Sequence, residues 1–383
     1  MKILIIAPMP FFIDRETQIR VLEEASAFEK LEHNVSIVAY GSGQTVFAED
    51  WKRANVFLAG ERFFRNRKPE ADWGLVRFFA DMLVFGKALS LAREWKPDVI
   101  HTHLHAGALI GSLVRKFLSG KKIPLVTDFH NWPKAEDKAG FLDKIIAGLG
   151  DVAVANTEKA VENLINLRKE KSVELVPNGV NVVRFLELPP KMSEKSDLEI
   201  PANIPVIVYT GSLSPTRGIG HLLEAIPLVV EQYQDAFFII AGSPVSWAAK
   251  YILDKNLGKN VRLIDPLSYF EMPKILNAGD IGVDPKDSQE AEVSWKVLQY
   301  MAAGLPVVCF DRENNRKHLG EGAYLASDIS GRGLAEGIIY FLKNSFEAQK
   351  RGSDNQRRAA GYSWGRSAEI IERIYCNLLK TCK

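Results

Sequence analysis

The sequence predicts an α/β protein built from two doubly wound parallel-sheet domains, and three observations carry that expectation. Strand-length apolar runs alternate with helix-length segments, which is how βα units on a parallel sheet read. The alternation happens twice, interrupted at residues 186–205 by a charged stretch with several prolines that reads as a linker. The chain has 383 residues, 46% of them hydrophobic, which suffices for two cores. The expected divisions are 1–185, 186–205 and 206–361, followed by a terminal helical segment at 362–383.

Taken in order, Ile3-Leu4-Ile5-Ile6 supplies the first buried strand. Val35-Ser36-Ile37-Val38, Val56-Phe57-Leu58, Asp98-Val99-Ile100-His101, Pro124-Leu125-Val126-Thr127, Val152-Ala153-Val154-Ala155 and Val173-Glu174-Leu175-Val176 follow, mostly separated by helix-length segments. Beyond the linker, strands are expected at Val206-Ile207-Val208-Tyr209, Phe237-Phe238-Ile239-Ile240, Val261-Arg262-Leu263-Ile264, Ile281-Gly282-Val283 and Val307-Val308-Cys309-Phe310. Doubly wound sheets bind ligands at the carboxyl ends of their strands, so the sites are expected there, facing a cleft between the domains.

Bulk chemistry excludes little but is consistent. A net charge of +2 gives no reason to expect nucleic acid as a partner. Cys309, Cys376 and Cys382 are an odd set without metal-type spacing, so free thiols in a reducing compartment are expected. The opening M-K-I-L-I-I-A-P is too short an apolar run for a signal peptide or a membrane span, which points to the cytoplasm.

Two segments carry candidate chemistry. In G-S-L-S-P-T-R-G-I-G-H-L-L-E-A-I, Gly211, Gly218 and Gly220 relieve crowding where a strand turns into a helix. That helix, beginning near Gly218 or Ile219, offers unpaired N–H groups, and Arg217 stands just before it: a recipe for a phosphate or diphosphate. A tight βα turn with a solvated arginine is the equal alternative. The spacing matches neither a Walker loop nor the dinucleotide-binding glycine pattern. In K-V-L-Q-Y-M-A-A-G-L-P-V-V, Lys296 and Gln299 share a face near a helix start, while Gly304 and Pro306 end that helix before a buried strand. The alternation H-T-H-L-H at His101, His103 and His105 could suggest metal ligands, but cleft-rim histidines after a buried strand are the preferred reading.

The ordered set of P-D-V-I-H-T-H, N-T-E-K-A-V-E-N-L, V-P-N-G-V-N-V-V-R-F, G-S-L-S-P-T-R-G, F-I-I-A-G and K-V-L-Q-Y-M-A-A-G-L-P-V-V resembles the retaining glycosyltransferases of family four over nearly the whole chain. The resemblance implies the GT-B architecture, two Rossmann-like domains facing a central cleft, with the helix after Tyr362-Ser363-Trp364 packing back on the first domain. It implies transfer of a sugar from a nucleotide-diphosphate donor to an acceptor hydroxyl of a glycan, a lipid-linked carrier or a small molecule, with anomeric configuration retained. The donor would sit mainly on the second domain. Arg217 and Lys296 take the places of the family's diphosphate-neutralising cations, so no metal or other cofactor is implied. His130, in V-T-D-F-H-N-W-P, matches the histidine that approaches the donor sugar, and Asp128 beside it is a polar-contact candidate.

Departures from the family pattern supply further candidates. Where relatives often carry a Gly-Gly loop after the first strand, this chain has P-M-P-F-F-I-D-R-E-T, so Asp14, Arg15 and Thr17 are substitutes. Together with Asp128 and Asn178, Asp14 and Arg15 are acceptor or cleft candidates. Ser212 stands where an arginine is usual. The second of the family's paired glutamates is Gln299, expected to meet the ribose, and the first falls at Ala291, flanked by Glu290 and Glu292, either of which would bind sugar hydroxyls. With Gly211, Ser212 and Gly218, these three form the donor-binding set. Basic and aromatic residues interleave over 61–89, from Arg62, Phe63 and Phe64 to Arg77, Phe78, Phe79 and Phe85, which suits peripheral contact with an anionic membrane; a core-facing helix is the other reading. A nucleotide-sugar epimerase of the same architecture and a non-catalytic sugar-nucleotide binding subunit remain as alternative functions.

Overall fold

The computed structural model describes residues 1–11, 15–41, 55–61, 74–118, 122–132, 140–168, 171–214, 217–287 and 295–381. Asp14, Glu290, Glu292, Cys382 and the stretch 62–73 lie outside those residues. The chain divides into two units, Met1–Gly179 with Trp364–Lys383, and Val180–Ser363.

Unit 1 is built on strands β1 (Lys2–Pro10), β2 (Asn34–Tyr40), β3 (Val56–Ala59), β4 (Val99–His103), β5 (Leu125–Asp128), β6 (Val152–Ala155) and β7 (Val173–Leu175). They pair in parallel in the order β3-β2-β1-β4-β5-β6-β7. The strand order therefore reverses between β1 and β4, the place where a doubly wound sheet opens a ligand crevice. Helices α1 (Glu16–Lys30), α2 (Leu75–Trp95), α3 (Leu104–Phe117), α4 (Phe141–Ala147) and α5 (Glu158–Arg168) connect them. Because β1 is covered on both faces, Ile3 through Ala7 are fully buried, and this explains the unbroken apolar run at the start of the sequence.

The helix α2 packs differently from the core-facing alternative. Its buried stripe is Ala80, Val84, Ala88 and Ala92, small residues four apart that let the helix lie close to the sheet, while Phe78 and Phe79 are exposed and Phe85 is half-buried. Leu109, Leu113 and Phe117 on the adjoining α3, and Phe141, Leu142 and Ile145 on α4, are exposed too. Among the described residues, no helix is long and apolar enough to cross a membrane.

The C-terminal helix, Trp364–Leu379, belongs to unit 1, as expected. Tyr375 is fully buried with its ring 5.7 Å from that of Phe28 on α1, His33 Nε2 pairs with Glu372 Oε1 at 2.9 Å, and Ser367 Oγ donates to the Pro177 carbonyl at 2.9 Å. Cys309 is free and buried, but Cys376 is disulfide-bonded, so the expectation of free thiols fails there. The physical reason is a reversal after the helix: Lys380 has φ 55° and the Thr381 N–H returns to the Cys376 carbonyl at 3.3 Å.

Unit 2 carries β8 (Val206–Thr210), β9 (Phe237–Ala241), β10 (Val261–Ile264), β11 (Ile281–Asp284), β12 (Val307–Phe310) and β13 (Ala323–Ala326), parallel in the order β10-β9-β8-β11-β12-β13. Its switch point lies between β8 and β11. Two buried clusters cover the two faces, one centred on Tyr209, Leu223, Phe238 and Phe310, the other on Val208, Leu298, Tyr300 and Val307. The strand β13 was not expected, because Ala-Tyr-Leu-Ala lacks the β-branched run of its neighbours.

The supposed linker at 186–205 is part of unit 2. It carries α6 (Val182–Leu186) at its entry and α7 (Lys191–Asp197), whose Lys195 is 5% exposed and binds Asp280 Oδ2 at 2.9 Å and the Ile204 carbonyl at 2.8 Å. Asp280 in turn accepts the Val206 N–H at 2.9 Å at the start of β8. Lys191 and Lys195 are thus held by an internal ion pair with Asp280, while Glu187, Asp197 and Glu199 in the same stretch are exposed. The division between units falls at 179/180 and 363/364, a few residues from the expected boundaries.

Candidate functional site

In unit 2 the candidate residues gather at the carboxyl ends of β8 and β11. Gly211, just past β8, has φ 134°, and a Cβ there would stand 3.3 Å from Lys296 Cε. Lys296 lies at the start of the helix Trp295–Ala302, and its side chain is 14% exposed. The Nζ stands 4.6 Å from the Tyr209 ring centroid, 3.5 Å from its hydroxyl and 3.4 Å from Asp284 Oδ1. Asp284 ends β11, is fully buried, and also binds Arg312 Nη2 at 3.1 Å. Two cations on one carboxylate leave a net positive charge at this strand end. The helix is fixed beneath the site by Tyr300, whose hydroxyl accepts from the Thr210 N–H at 3.0 Å and donates to the Val283 carbonyl at 3.2 Å.

The glycine loop is shaped by close backbone approach. Gly218, φ 76°, precedes the helix Ile219–Gln232, and a Cβ there would lie 1.9 Å from the Pro285 carbonyl oxygen. Gly242, φ 150°, would place a Cβ 1.8 Å from the Gly211 carbonyl oxygen, so a residue with a side chain does not fit there. Ser212 is exposed, with its carbonyl accepting from the Tyr209 hydroxyl at 2.7 Å. Arg217 is exposed and has no ion-pair partner among the described residues. Gln299 is 2% exposed, and its Oε1 is buried without a hydrogen-bond partner among the described residues.

In unit 1 the candidates form a buried polar network under the β4 and β5 strand ends. Arg20 on α1, 1% exposed, donates to Asp128 Oδ2 from Nε at 3.0 Å and Nη2 at 2.8 Å, to Asn178 Oδ1 at 2.7 Å and to the Val176 carbonyl at 3.1 Å. Glu24, one turn on, is fully buried with Oε1 3.0 Å from Arg20 Nε. Burial pushes its carboxyl up to about 8, against the pull of Arg20. Burial works the same way on Asp128, but the Arg20 guanidinium beside it more than offsets it and holds that carboxyl below the usual range. Burial lowers His101 and His130 to about 4 and His103 well below its ordinary value, so all three rings are neutral near pH 7.

His130 stands just beyond β5 with φ 56°, a conformation unusual for a residue with a Cβ. Asp128 Oδ1 accepts its N–H at 2.8 Å, its carbonyl accepts from the Asn156 N–H at 3.1 Å, and its Nε2 lies 3.2 Å from His103 Nδ1. Asp128 is therefore an internal anchor for His130, with no exposed surface, in place of the cleft contact expected. Asn178 ties Arg20 to Glu16 Oε1, to which it donates at 2.8 Å, while Arg15 is exposed at the start of α1. His101 and His103 are fully buried, not at a rim, because β4 is covered on both faces and every one of its positions is buried.

Glu24, His101, His103 and Asp128 offer ligand atoms within 4.8 Å of one another, as a cation site would. Arg20 already occupies Asp128 Oδ2 twice and stands against Glu24, so an ion would have to displace a buried guanidinium.

Sequence reading missed Arg20, Glu24, Tyr209, Asp284, Tyr300, Arg312 and Tyr375. The signal available for the first two was a pair of charges four apart inside a helix whose neighbours Ile19, Val21, Leu22 and Ala25 are all core.

The chain is similar to known proteins in sequence and in fold. The family model described as Glycosyltransferase Family 4 matches residues 17–184, and that described as Glycosyl transferases group 1 matches residues 191–359. The chain is 26% identical over 340 residues to a D-inositol 3-phosphate glycosyltransferase of Corynebacterium diphtheriae, covering 80% of this chain and 76% of that protein. It is 23% identical to a phosphatidyl-myo-inositol mannosyltransferase of Mycobacterium tuberculosis, covering 98% and 96%. Among solved structures, sucrose-phosphate synthase from Thermosynechococcus elongatus superposes with a TM-score of 0.74 at 14% identity over the whole of both chains. Anabaena Alr3699/HepE in complex with UDP-glucose superposes with a TM-score of 0.74 at 15% identity, covering 98% of this chain and 100% of that one.

Proposed function

The chain belongs to glycosyltransferase family four, and from that premise we propose that it moves a sugar from a nucleotide-diphosphate sugar to an acceptor hydroxyl, with unit 2 holding the diphosphate. The observation that carries the placement is Lys296 Nζ at the same strand end as the bare backbone of Gly211. A diphosphate there meets Lys296 directly, Arg217 from the loop, and the N-terminal N–H groups of the helix Ile219–Gln232. Negative charge grows on the leaving diphosphate as the sugar departs, and fixed cations with a helix terminus stabilise it without reorganising. With Lys296 and Arg312 sharing Asp284, the site keeps an excess positive charge, so these side chains supply the stabilisation otherwise given by a metal. His130 in unit 1 hydrogen-bonds the transferred sugar as a neutral ring. The epimerase alternative has no support among the relatives.

The test is titration of Lys296→Ala and Arg217→Ala with a nucleoside and with the corresponding diphosphate, for uridine, guanosine and adenosine in turn. A charge-assisted hydrogen bond contributes about 1.5–3 kcal/mol, so each variant is expected to lose roughly ten- to a hundredfold in diphosphate affinity and little for the nucleoside. Wild-type diphosphate binding by Lys296→Ala would sink the placement.

A second reading concerns the acceptor. We infer that unit 1 meets an anionic membrane through the exposed apolar residues of α2, α3 and α4, because Phe78, Phe79, Leu113, Phe117 and Phe141 lie in solvent beside Arg77, Lys87, Lys116 and Lys144. This extends the region expected at 61–89 to neighbouring helices, and it suits a lipid-linked acceptor. Sedimentation with phosphatidylglycerol vesicles at low salt is expected to pellet the chain, and Phe78→Ser with Phe141→Ser to release it. Equal recovery in the supernatant with and without vesicles removes this reading.

A further inference from the structure

We propose that His103 and Glu24 are positioning residues for His130: Glu24 donates to His103 Nε2, His103 donates from Nδ1 to His130 Nε2, and His130 is thereby held as the tautomer with its proton on Nδ1. The functional meaning rests on the reading above, in which His130 meets the transferred sugar.

Two neutral imidazoles whose facing nitrogens lie 3.2 Å apart hold one proton between them, so one ring donates and the other accepts. The direction is set at the far side of His103. Its Nε2 lies 3.7 Å from Glu24 Oε2, both side chains are fully buried, and neither atom has a hydrogen bond elsewhere among the described residues. Closing that gap by several tenths of an ångström satisfies two orphaned groups at once, which buried polar atoms strongly favour. A carboxyl kept protonated by burial is the donor in that pair, which leaves His103 with its proton on Nδ1. Asp128 agrees from the other side: Oδ2, 3.9 Å from His103 Nδ1, favours positive charge there. It does not compete as acceptor, because Oδ2 takes two bonds from Arg20 and Oδ1 takes the His130 N–H.

The ring planes are held as well. His101 stacks on His103 with centroids 4.8 Å apart and 5° between planes, and the Tyr375 hydroxyl of the C-terminal helix is bonded to His101 Nδ1. His130 is pinned by its backbone on both sides, so its ring has one inward nitrogen, Nε2, and one free of partners among the described residues, Nδ1. The free nitrogen presents a donor. It therefore meets an oxygen lone pair of a sugar hydroxyl, and leaves that hydroxyl's proton unengaged.

The test is the long-range 1H–15N spectrum of the histidine rings in the 15N-labelled full chain at pH 7, with His130 assigned by loss of its signals in His130→Gln. The wild type is expected to show His130 protonated at Nδ1. In His103→Gln, whose amide reaches the Nε2 position and not Nδ1, and in Glu24→Leu, the signal is expected to move to the Nε2–H form. His103→Asn, whose amide stands near Nδ1, restores the wild-type pattern. Cleavage of UDP-glucose, GDP-mannose or ADP-glucose, measured alongside, is expected to fall by about ten- to a hundredfold in kcat with donor KM little changed, and to recover in His103→Asn. An Nε2–H ring in the wild type, or an Nδ1–H ring unchanged in both disrupting variants, overturns the proposal. Should a disrupting variant fail to fold, the wild-type spectrum alone decides. A tautomer lock that behaves as stated while His130→Ala retains full turnover would leave positioning intact and remove the contact with sugar.

Discussion

Glu24 and Asp128 sit a few ångströms from one Arg20, yet their carboxyls move in opposite directions. Asp128 receives two guanidinium bonds and a backbone N–H, whereas Glu24 has the ion pair alone to set against full burial. The raised group binds a proton in the folded chain that it releases on unfolding above a pKa of about 4.3. Its contribution is therefore complete below that value and declines as pH rises toward about 8. Glu24→Gln, which keeps a neutral amide, is expected to remove that decline. Urea unfolding from pH 5 to 9 should show the variant gaining on the wild type by up to ~1.4 kcal/mol per pH unit until the curves run parallel. A constant difference across that range would show that Glu24 is ionised in the folded state. At this scale part of the candidate site was legible: Lys296 and His130 stood out because short motifs surround them. Gln299 was expected to reach a ribose from the same helical face as Lys296, but a three-residue step also turns a side chain toward the core, and burial follows from packing that spacing does not encode. Arg20 and Glu24 were missed for the same reason, since two opposite charges four apart on a helix are ordinarily a surface pair.

Among elements, the junction of β8 and β9 with their following loops is tightly constrained. A methyl group at Gly242 meets the Gly211 carbonyl oxygen at 1.8 Å in a backbone conformation that side chains avoid. Gly242→Ala is expected to cost about 3 kcal/mol or more, from backbone strain and clash together. Diphosphate affinity should fall with it, because Gly211 must shift. Gly220→Ala is the control: nothing lies within 4 Å of its Cβ position, so stability should stay within about 1 kcal/mol of wild type. Thermal unfolding of both variants checks the pair, and equal midpoints would show that the two loops adapt independently. Strands and most helices were legible because buried parallel strands concentrate branched apolar residues. The strand β13 and the folded stretch at 186–205 were not, since both are stabilised by neighbours distant in sequence: β12 for one, Asp280 for the other.

For the molecule as a whole, the arrangement of units is discontinuous. Unit 2 is one uninterrupted segment, Val180–Ser363, while unit 1 needs Trp364–Leu379 to cover Phe28 and His101. A chain ending at residue 363 is expected to keep a cooperative, diphosphate-stabilised transition from unit 2 and to lose protection of unit 1 against protease. Ligand stabilisation follows mass action, so the surviving transition should move upward with nucleotide concentration. Loss of both transitions would mean that unit 2 depends on unit 1 for its stability.

The late arrival of Tyr375 has a consequence for the ribosome. Translation at ~5–20 residues per second puts roughly 10–40 s between completion of the first part of unit 1 at Gly179 and emergence of Trp364, the start of its missing helix. During that interval unit 2 is made and free to fold. The nascent first unit, meanwhile, exposes the faces of Phe28 and His101 that only the last helix covers, and with them the chain of rings leading to His130. Assembly of the histidine network is thus coupled to emergence of Trp364–Leu379: a polypeptide stalled after unit 2 is complete but before that helix emerges carries the proposed diphosphate site without the helix that covers His101.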